Sequence, residues 1–205
     1  MIPISTIVEG HGEVGALPVL LSRLGAWRTP TIPTIVLPPI RVHRDRFLKR
    51  AKEFSRVIAL AAAKSGEGGR IFILLDADND CPAQLGATIL MRAKEEAPHR
   101  HISVVLANRE YEAWFIAAAS SLHGHRGFSF DPKGDIINAE SVRDAKGWIR
   151  TRMASRIYGE TTDQPALSAL IDLQQAFDGS RSFRKMCDEW RRAIGPDHPR
   201  NPRSG

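Results

Sequence analysis

Residues 70–80 read RIFILLDADND, an apolar run that ends in three acidic residues at alternate positions. An apolar run without polar alternation is typical of a strand that is buried on both faces of a parallel sheet. We therefore predict an interior strand over residues 70–75. The carboxyl end of this strand then brings Asp76, Asp78 and Asp80 to one edge of the sheet.

Short apolar runs of the same kind alternate with amphipathic helical stretches over residues 1–122. The other predicted strands cover residues 2–8, 32–37 and 101–106. The main predicted helices cover residues 14–27, residues 46–64 and the stretch after Pro82. Pro33 favours an edge position for its strand, because proline cannot donate a hydrogen bond to a strand ladder. The alternation predicts an α/β fold with about four mostly parallel strands flanked by helices.

The character of the chain changes after Ser121. Three further helices are predicted, over residues 141–157, 165–177 and 181–194. We therefore expect an α/β domain over residues 1–122 and a helical extension packed on it over residues 123–194. Residues 195–205 contain prolines and charges without periodicity, which predicts a disordered tail.

The composition is that of an ordinary globular protein. The chain has 205 residues, with 29 Lys and Arg against 23 Asp and Glu, which gives a formal charge of +6. A basic protein suits a polyanionic partner such as nucleic acid, although such a charge also serves solubility. Two cysteines, Cys81 and Cys187, provide neither a disulfide framework nor the paired spacing of a zinc site.

The location of the protein can also be predicted. No apolar run reaches the ~20 residues of a membrane span, and Glu9 interrupts the N-terminal apolar run, so we expect no signal peptide and no membrane contact. The expected location is the reducing cytoplasm. The oligomeric state stays open, a homo-oligomer included.

Acidic residues follow three of the predicted strands. Glu9 follows the first strand in EGHGE (9–13), and Glu110 and Glu112 follow the strand over residues 101–106. Ligands of open parallel sheets bind at the carboxyl ends of the strands, so these acids are expected to meet the aspartates there. Crowded carboxylates raise each other's pKa, and a divalent cation relieves the repulsion. Oxygen ligands favour Mg²⁺ or Mn²⁺, although each acid alone could also cap a turn or a helix.

Several basic residues are candidate phosphate contacts. Arg44 and Lys49 lie in the basic stretch RVHRDRFLKR (41–50), and Arg109 directly precedes Glu110. Such residues could bind the phosphates of a nucleic acid. The alternatives are a solvated helix face for the basic stretch and an ion pair for Arg109. Lys146 belongs to a second basic helix face, with the same two interpretations.

The acidic motifs resemble those of a known domain. EGHGE after the first strand and DAD (76–78) after a later one resemble the Toprim domain of topoisomerases, primases, recombination-repair proteins and nucleases of the overcoming-lysogenization-defect type. The wider pattern resembles a bacterial family of Toprim-like proteins that are often encoded beside an ATPase. The matching stretches are TIVEGHGEVGALPVLL (6–21), LLDADND (74–80), NREYEAWFIA (108–117), YGETTDQPALSALIDL (158–173) and RSFRKM (181–186).

The resemblance implies a Toprim-like fold and Mg²⁺- or Mn²⁺-dependent phosphodiester chemistry. It makes Asp76 and Asp78 metal ligands, with Asp80 beside them. It makes Glu9 a general acid/base or a further ligand, adds Glu13 as a second catalytic acid, and suggests Glu110 or Glu112 for a second metal. The implied function is a nuclease that acts on DNA or RNA, with control by a partner ATPase in phage defence as a further expectation.

Two other functions fit parts of the pattern. The chain could be a non-catalytic subunit that binds a metal or a nucleotide within an ATPase complex. A phosphatase of the haloacid dehalogenase type would use DxD as an aspartyl nucleophile. That family usually carries the motif on the first strand and has Thr or Val where Asp80 stands, and it leaves EGHGE unexplained.

Overall fold

A computed structural model describes residues 1–133, 138–153 and 157–195 of the chain. Five parallel strands form one sheet, in which the order is β2-β1-β4-β5 and β3 also pairs with β1. The strands are β1 (Ile2–Val8), β2 (Thr34–Val36), β3 (Ile40–Arg41), β4 (Arg70–Asp76) and β5 (His101–Ala107). The predicted α/β class is therefore confirmed. The predicted tail lies outside the described residues, apart from Gly195.

The apolar runs that predict strands are buried in the structure. Residues 71–75 of β4 are all buried, as their unbroken apolar sequence predicts. β2 lies at one edge of the main strand order, which agrees with the edge position that Pro33 favours. No sequence pattern predicts β3, because it has two residues and directly follows Pro38 and Pro39, which interrupt any strand pattern.

Ten α-helices are found in the described part of the chain. They are α1 (His11–Arg28), α2 (Arg44–Lys49), α3 (Ala51–Ser65), α4 (Pro82–Glu96), α5 (Ala113–Ala117), α6 (Ala119–Leu122), α7 (Ala145–Arg152), α8 (Glu160–Leu170), α9 (Leu173–Gly179) and α10 (Arg181–Ile194). None of these helices is both long and apolar enough to cross a membrane.

Several predicted helix limits are wrong. α1 begins at His11 rather than near residue 14, because the carboxylate of Glu13 accepts hydrogen bonds from the backbone N–H groups of Glu9 and Gly10. The helix predicted over residues 46–64 is two helices, since Arg50 has an extended backbone between them.

The later helices also differ from the prediction, except α10, which matches residues 181–194. The helix predicted over residues 141–157 is the shorter α7, and residues 154–156 lie outside the described chain. The helix predicted over residues 165–177 is divided into α8 and α9. Asp172 starts α9, because its side chain accepts a hydrogen bond from the backbone N–H of Gln175.

The two faces of the sheet are covered by different helices. α2, α3 and α4 bury one face, with Phe54, Ile73 and Ile89 among the core residues. The other face is buried by α1 together with helices that follow residue 122, and Phe72 contacts Trp190 of α10 there, with ring centroids 5.8 Å apart. The C-terminal helices thus form part of the core of the α/β sheet.

The packing of α8 against α1 depends on small residues. The side-chain oxygen of Gln164 and the backbone oxygen of Glu160 lie so close to Gly12 that a side chain there would collide with both. Gly15 is in a similar position against Pro165. The close crossing brings the first turns of α1 and α8 together, directly after the carboxyl end of β1.

Candidate active site at the carboxyl edge of the sheet

Glu9 and Asp76 lie at the carboxyl ends of neighbouring strands. β1 pairs with β4 so that Val8 lies opposite Leu74, and Glu9 and Asp76 follow this pair on the two strands. The sequence prediction that these acids meet at one edge agrees with this register. We call Glu9, Glu13, Asp76, Asp78 and Glu112 the acidic site, because each interacts electrostatically with at least one other member.

The carboxyl group of Glu9 is partly buried and incompletely hydrogen-bonded. Its Oε2 atom is buried and has no hydrogen-bond partner among the described residues. Burial raises the pKa of Glu9 to about 7, assisted by the negative charges of Glu13 and Asp78 and opposed by Arg44 and Lys146. Such a group can take up or release a proton near neutral pH.

Asp76, the last residue of β4, lies in an environment that strongly perturbs its carboxyl group. Its Oδ1 atom accepts a 2.9 Å hydrogen bond from the backbone N–H of Tyr111, which connects the ends of β4 and β5. Burial raises the pKa of Asp76 well above its usual value, and the charges of Glu13 and Glu112 raise it further, although Lys146 opposes them. A cation placed here would therefore be stabilised by several carboxylates.

Glu13 holds the turn that carries Glu9. Its side chain is 3% exposed, and its Oε2 atom lies 3.1 Å from the backbone nitrogen of Glu9 and 2.9 Å from that of Gly10. Burial raises the pKa of Glu13, and the two backbone hydrogen bonds partly offset this effect. The contacts assign Glu13 a positioning role, which the bare EGHGE motif did not distinguish from catalysis.

Asp78 and Asp80 form ion pairs with an arginine side chain. Arg44, the first residue of α2, lies 3.6 Å from Asp78 Oδ2 through Nη1 and 2.5 Å from Asp80 Oδ2 through Nη2. The arginine side chain is 15% exposed, whereas those of the two aspartates are more than half exposed. Arg44, predicted as a phosphate contact, has carboxylates as its partners in the structure.

Lys146 is the second cation at the site, and it comes from the C-terminal part of the chain. Its Nζ atom lies 3.5 Å from Glu160 Oε1. Burial lowers the pKa of Lys146, but Glu112, Glu160 and Asp76 outweigh this effect and raise it to about 12. The sequence predicts only a basic helix face for Lys146, because no local signal links α7 to the ends of β4 and β5.

The two acids after β5 have different surroundings. Glu112 is 0% exposed, and its Oε1 atom accepts hydrogen bonds from Tyr158 Oη at 2.9 Å and Gln164 Nε2 at 3.2 Å. Burial raises the pKa of Glu112 to about 7, and its Oε2 atom has no partner in the described chain. Glu110 instead accepts a 2.9 Å hydrogen bond from the backbone N–H of Lys146 and so holds the start of α7.

The other two proposed phosphate contacts differ in position. Arg109 lies in the loop after β5 and makes a 3.4 Å hydrogen bond to Asn79 in the loop after β4, so it borders the acidic site. Lys49 lies at the end of α2 and forms a 3.1 Å ion pair with Asp45. Both members of that pair are more than half exposed, and the contact links Lys49 to its own helix.

The carboxylate oxygens of the acidic site are suitable ligands for a divalent cation, but the described residues do not form a complete set of metal ligands. Within the described residues, no group of three or more His, Cys, Asp or Glu side chains is arranged to hold a metal ion. Mg²⁺, however, usually keeps several waters and binds through one or two carboxylates. The unpartnered Oε2 atom of Glu9 and the carboxylate oxygens of Asp76 are hard donors of this kind.

The comparison with known proteins covers most of the chain. The model of a family described as "Domain of unknown function (DUF4276)" matches residues 8–190. The matched region includes the whole acidic site and both cations beside it. No curated protein and no solved structure matches the chain.

Proposed function

This chain belongs to the DUF4276 family, and we propose that it is a Toprim-type, Mg²⁺- or Mn²⁺-dependent phosphodiesterase that cleaves DNA or RNA. One observation carries the proposal. Glu9 and Asp76 end neighbouring parallel strands, and Glu9 has an unpartnered carboxylate oxygen and a pKa near 7. Perturbed acids at the carboxyl ends of parallel strands are typical of catalytic sites.

The residues of the acidic site can be given separate roles. Asp76 and Asp78 would hold the cation, which supplies Lewis-acid stabilisation of the charge on the phosphate when it is bound. Glu9 would transfer a proton to or from the reacting oxygen, since its carboxyl group is half protonated near pH 7. Glu13 keeps Glu9 in place through the backbone of the turn.

The cations around the site support a phosphate-containing substrate. Arg109 borders the site, and Lys146 lies among its carboxylates. A substrate phosphate could pair with either group once a bound cation has neutralised the acids. The formal charge of +6 suits a polyanion as well. The resemblance to Toprim-like proteins adds control by a partner ATPase in phage defence, and a cytoplasmic location, to the proposal.

A second candidate function rests on Arg44. This arginine already bridges Asp78 and Asp80, so part of the proposed metal site is neutralised within the chain. A site whose aspartates are already paired with an arginine is compatible with a non-catalytic subunit that binds a metal or a nucleotide for a partner. The two functions differ in whether Glu9 is needed for turnover or only for binding.

The test measures cleavage of supercoiled plasmid DNA and of total tRNA with Mg²⁺ or Mn²⁺. We expect the wild-type protein to cleave one of the two substrates. The Glu9→Gln variant keeps the size of the side chain but cannot transfer a proton, so we expect at least about a hundredfold loss of rate. Glu53→Gln is the matched control, because Glu53 is an acid in the first turn of α3 that pairs with Arg56 of its own helix.

The outcomes separate the two functions. Loss of cleavage in Glu9→Gln and full cleavage in Glu53→Gln would support the phosphodiesterase and identify its substrate. Equal cleavage by wild type and Glu9→Gln would contradict the assigned site. Metal binding without cleavage of either substrate would favour the non-catalytic subunit.

A further inference from the structure

A groove lies along the free edge of the sheet, away from the acidic site. β5 is the last strand in the order, and no strand of the described chain pairs with its outer side. α4 lies against one face of β5 and α10 against the other, and a groove of ≈ 630 Å³ separates them. Val104 and Leu106 of β5 line the groove between the two helices.

The backbone groups on the outer side of β5 face this groove, and they have no hydrogen-bond partner among the described residues. Ala107 directs its carbonyl toward β4, where it accepts a 2.9 Å hydrogen bond from the backbone N–H of Ala77. Successive residues of a parallel strand bond alternately to the two sides, so Ile102, Val104 and Leu106 direct their N–H and C=O groups away from β4. Buried backbone groups of this kind need hydrogen-bond partners.

The shape of the groove limits which kind of molecule can form hydrogen bonds with the backbone of β5. Val104 and Leu106 are only 5% and 3% exposed although they lie on an edge strand, because their side chains belong to the core cluster that α4 covers. The edge of β5 lies between α4 and α10, and a second copy would bring the same two helices with its own β5 edge. A single extended polypeptide segment can enter the groove and pair with β5.

The residues on the two walls of the groove indicate which side chains the bound segment would carry. Ala83, Ala87 and Leu90 on α4 form an apolar wall, and Gly86 lets this helix approach Leu106 closely. On the α10 wall, Arg181 is exposed, and its side chain has no hydrogen bond or ion pair with any described residue. Side chains of a strand alternate between its two faces.

We propose that this groove, defined by β5, α4 and α10, binds an extended segment of a partner protein as an added β-strand. The segment has small apolar residues on the side that faces α4 and an acidic residue on the side that faces Arg181. Backbone hydrogen bonds to Val104 and Leu106 provide affinity, and the two walls provide specificity. The proposal is independent of the phosphodiesterase, because it uses none of the residues of the acidic site.

The test selects linear peptides from a phage-displayed random library on the full-length protein. Selected peptides are synthesised with a fluorescent label, and their binding is measured by anisotropy. Ala87→Arg fills the groove from an exposed helix position and should weaken binding at least about tenfold. Thr88→Arg is the matched control, since Thr88 is exposed next to Ala87 but does not line the groove.

Two further measurements test the strand and its chemistry. Amide hydrogen exchange should slow at Val104 and Leu106 when a selected peptide binds. Arg181→Glu should weaken binding, and Arg181→Lys should preserve it, because only the first reverses the charge of the wall.

Four outcomes would overturn the proposal. The first is a selection without peptides that bind, and the second is equal binding to wild type and Ala87→Arg. The third is binding that leaves the exchange at Val104 and Leu106 unchanged. The fourth is a dimer of the protein itself that Ala87→Arg abolishes, since the occupant would then be a second copy.

Discussion

The backbone N–H of Asp78 donates a 3.0 Å hydrogen bond to the carbonyl oxygen of Arg109, and both residues have left-handed backbones, with φ of 50° and 66°. This region costs a residue with a side chain about 1 kcal/mol or more. The bond ties the loop after β4 to the loop after β5. The strain is therefore located where the two loops border the acidic site.

Relief of this strain should stabilise the protein. Arg109→Gly allows the left-handed backbone without a side-chain clash, and we expect the free energy of unfolding to rise by up to about 1 kcal/mol. The side chain of Arg109 contributes little to offset this gain, because its hydrogen bond to Asn79 is long and exposed. Urea denaturation of wild type and variant measures the difference.

The control for this prediction is Arg109→Ala. Alanine also removes the arginine side chain but keeps the backbone strain, so we expect no gain in stability. An equal gain in the two variants would assign the effect to the side chain instead. Cleavage assays on both variants would show in addition whether Arg109 contacts the substrate.

The raised pKa of Glu9 predicts a pH dependence of stability. The folded-state pKa is about 7 and the ordinary value is 4.5, so the folded protein binds more protons between these values than the unfolded chain does. Stability from this group therefore falls as the pH rises through that window. Because the carboxyl group is partly exposed, we expect the free energy of unfolding to fall by about 1–2 kcal/mol across this window. This is less than the full pKa shift of Glu9 would give.

The Glu9→Gln variant isolates this effect. Glutamine does not titrate, so the variant should lose less stability than the wild type when urea denaturation is measured at pH 5 and at pH 8. Glu53→Gln should behave like the wild type, because Glu53 lies outside the acidic site. Identical losses in wild type and Glu9→Gln would show that the burial of Glu9 has no energetic consequence.

The strand ends of the site could be predicted from the sequence, because apolar runs bounded by acids mark them directly. Residues 70–75 and the acids after them lie where the pattern indicates. The role of Glu13 is harder to predict from the sequence, since a carboxylate that caps a backbone turn and one that performs catalysis have the same local sequence. Only the observed hydrogen bonds to Glu9 and Gly10 distinguish the two roles.

The positions of Lys146 and Arg44 beside the acids could not be predicted, because long-range packing brings them there. Lys146 reaches the acids after β1 and β4 through the placement of α7, which Glu110 holds by a hydrogen bond to the backbone. Arg44 reaches Asp78 and Asp80 because α2 begins directly after the short strand β3. Neither contact has a periodicity or a spacing that a sequence pattern could show.

Arg44 competes with a cation for Asp78, and its removal should tighten metal binding. Arg44→Gln removes a positive charge that lies 3.6 Å from this carboxylate. For a partly exposed pair we expect a gain of about 0.5–1 kcal/mol, which corresponds to a roughly two- to fivefold lower Kd for Mn²⁺. Isothermal titration calorimetry or the paramagnetic signal of Mn²⁺ measures the binding.

Lys49→Gln is the matched control for Arg44→Gln. It removes the same charge from the same helix, but Lys49 pairs with the exposed Asp45 rather than with the acidic site. Its Kd for Mn²⁺ should equal that of the wild type. A similar decrease of Kd in both variants would indicate a general effect of net charge, and unchanged binding in Arg44→Gln would place the cation away from Asp78.

The C-terminal helices should be required for the sheet to fold. Trp190 of α10 is 0% exposed, packs against Phe72 of β4 and donates a 3.0 Å hydrogen bond to Thr29. We expect Trp190→Ala to lower the free energy of unfolding by about 3–5 kcal/mol. Arg191→Ala, at an exposed neighbouring position, should cost less than about 0.5 kcal/mol.

A fragment of residues 1–122 tests the same dependence without any substitution. It lacks α8 and α10, which together with α1 bury one face of the sheet, so its apolar surface would be exposed to water. We expect no cooperative unfolding transition in urea, and rapid exchange of the backbone amides of β4. A cooperative transition close to that of the full chain would show instead that the first 122 residues form an independent domain and that the C-terminal helices only pack on it.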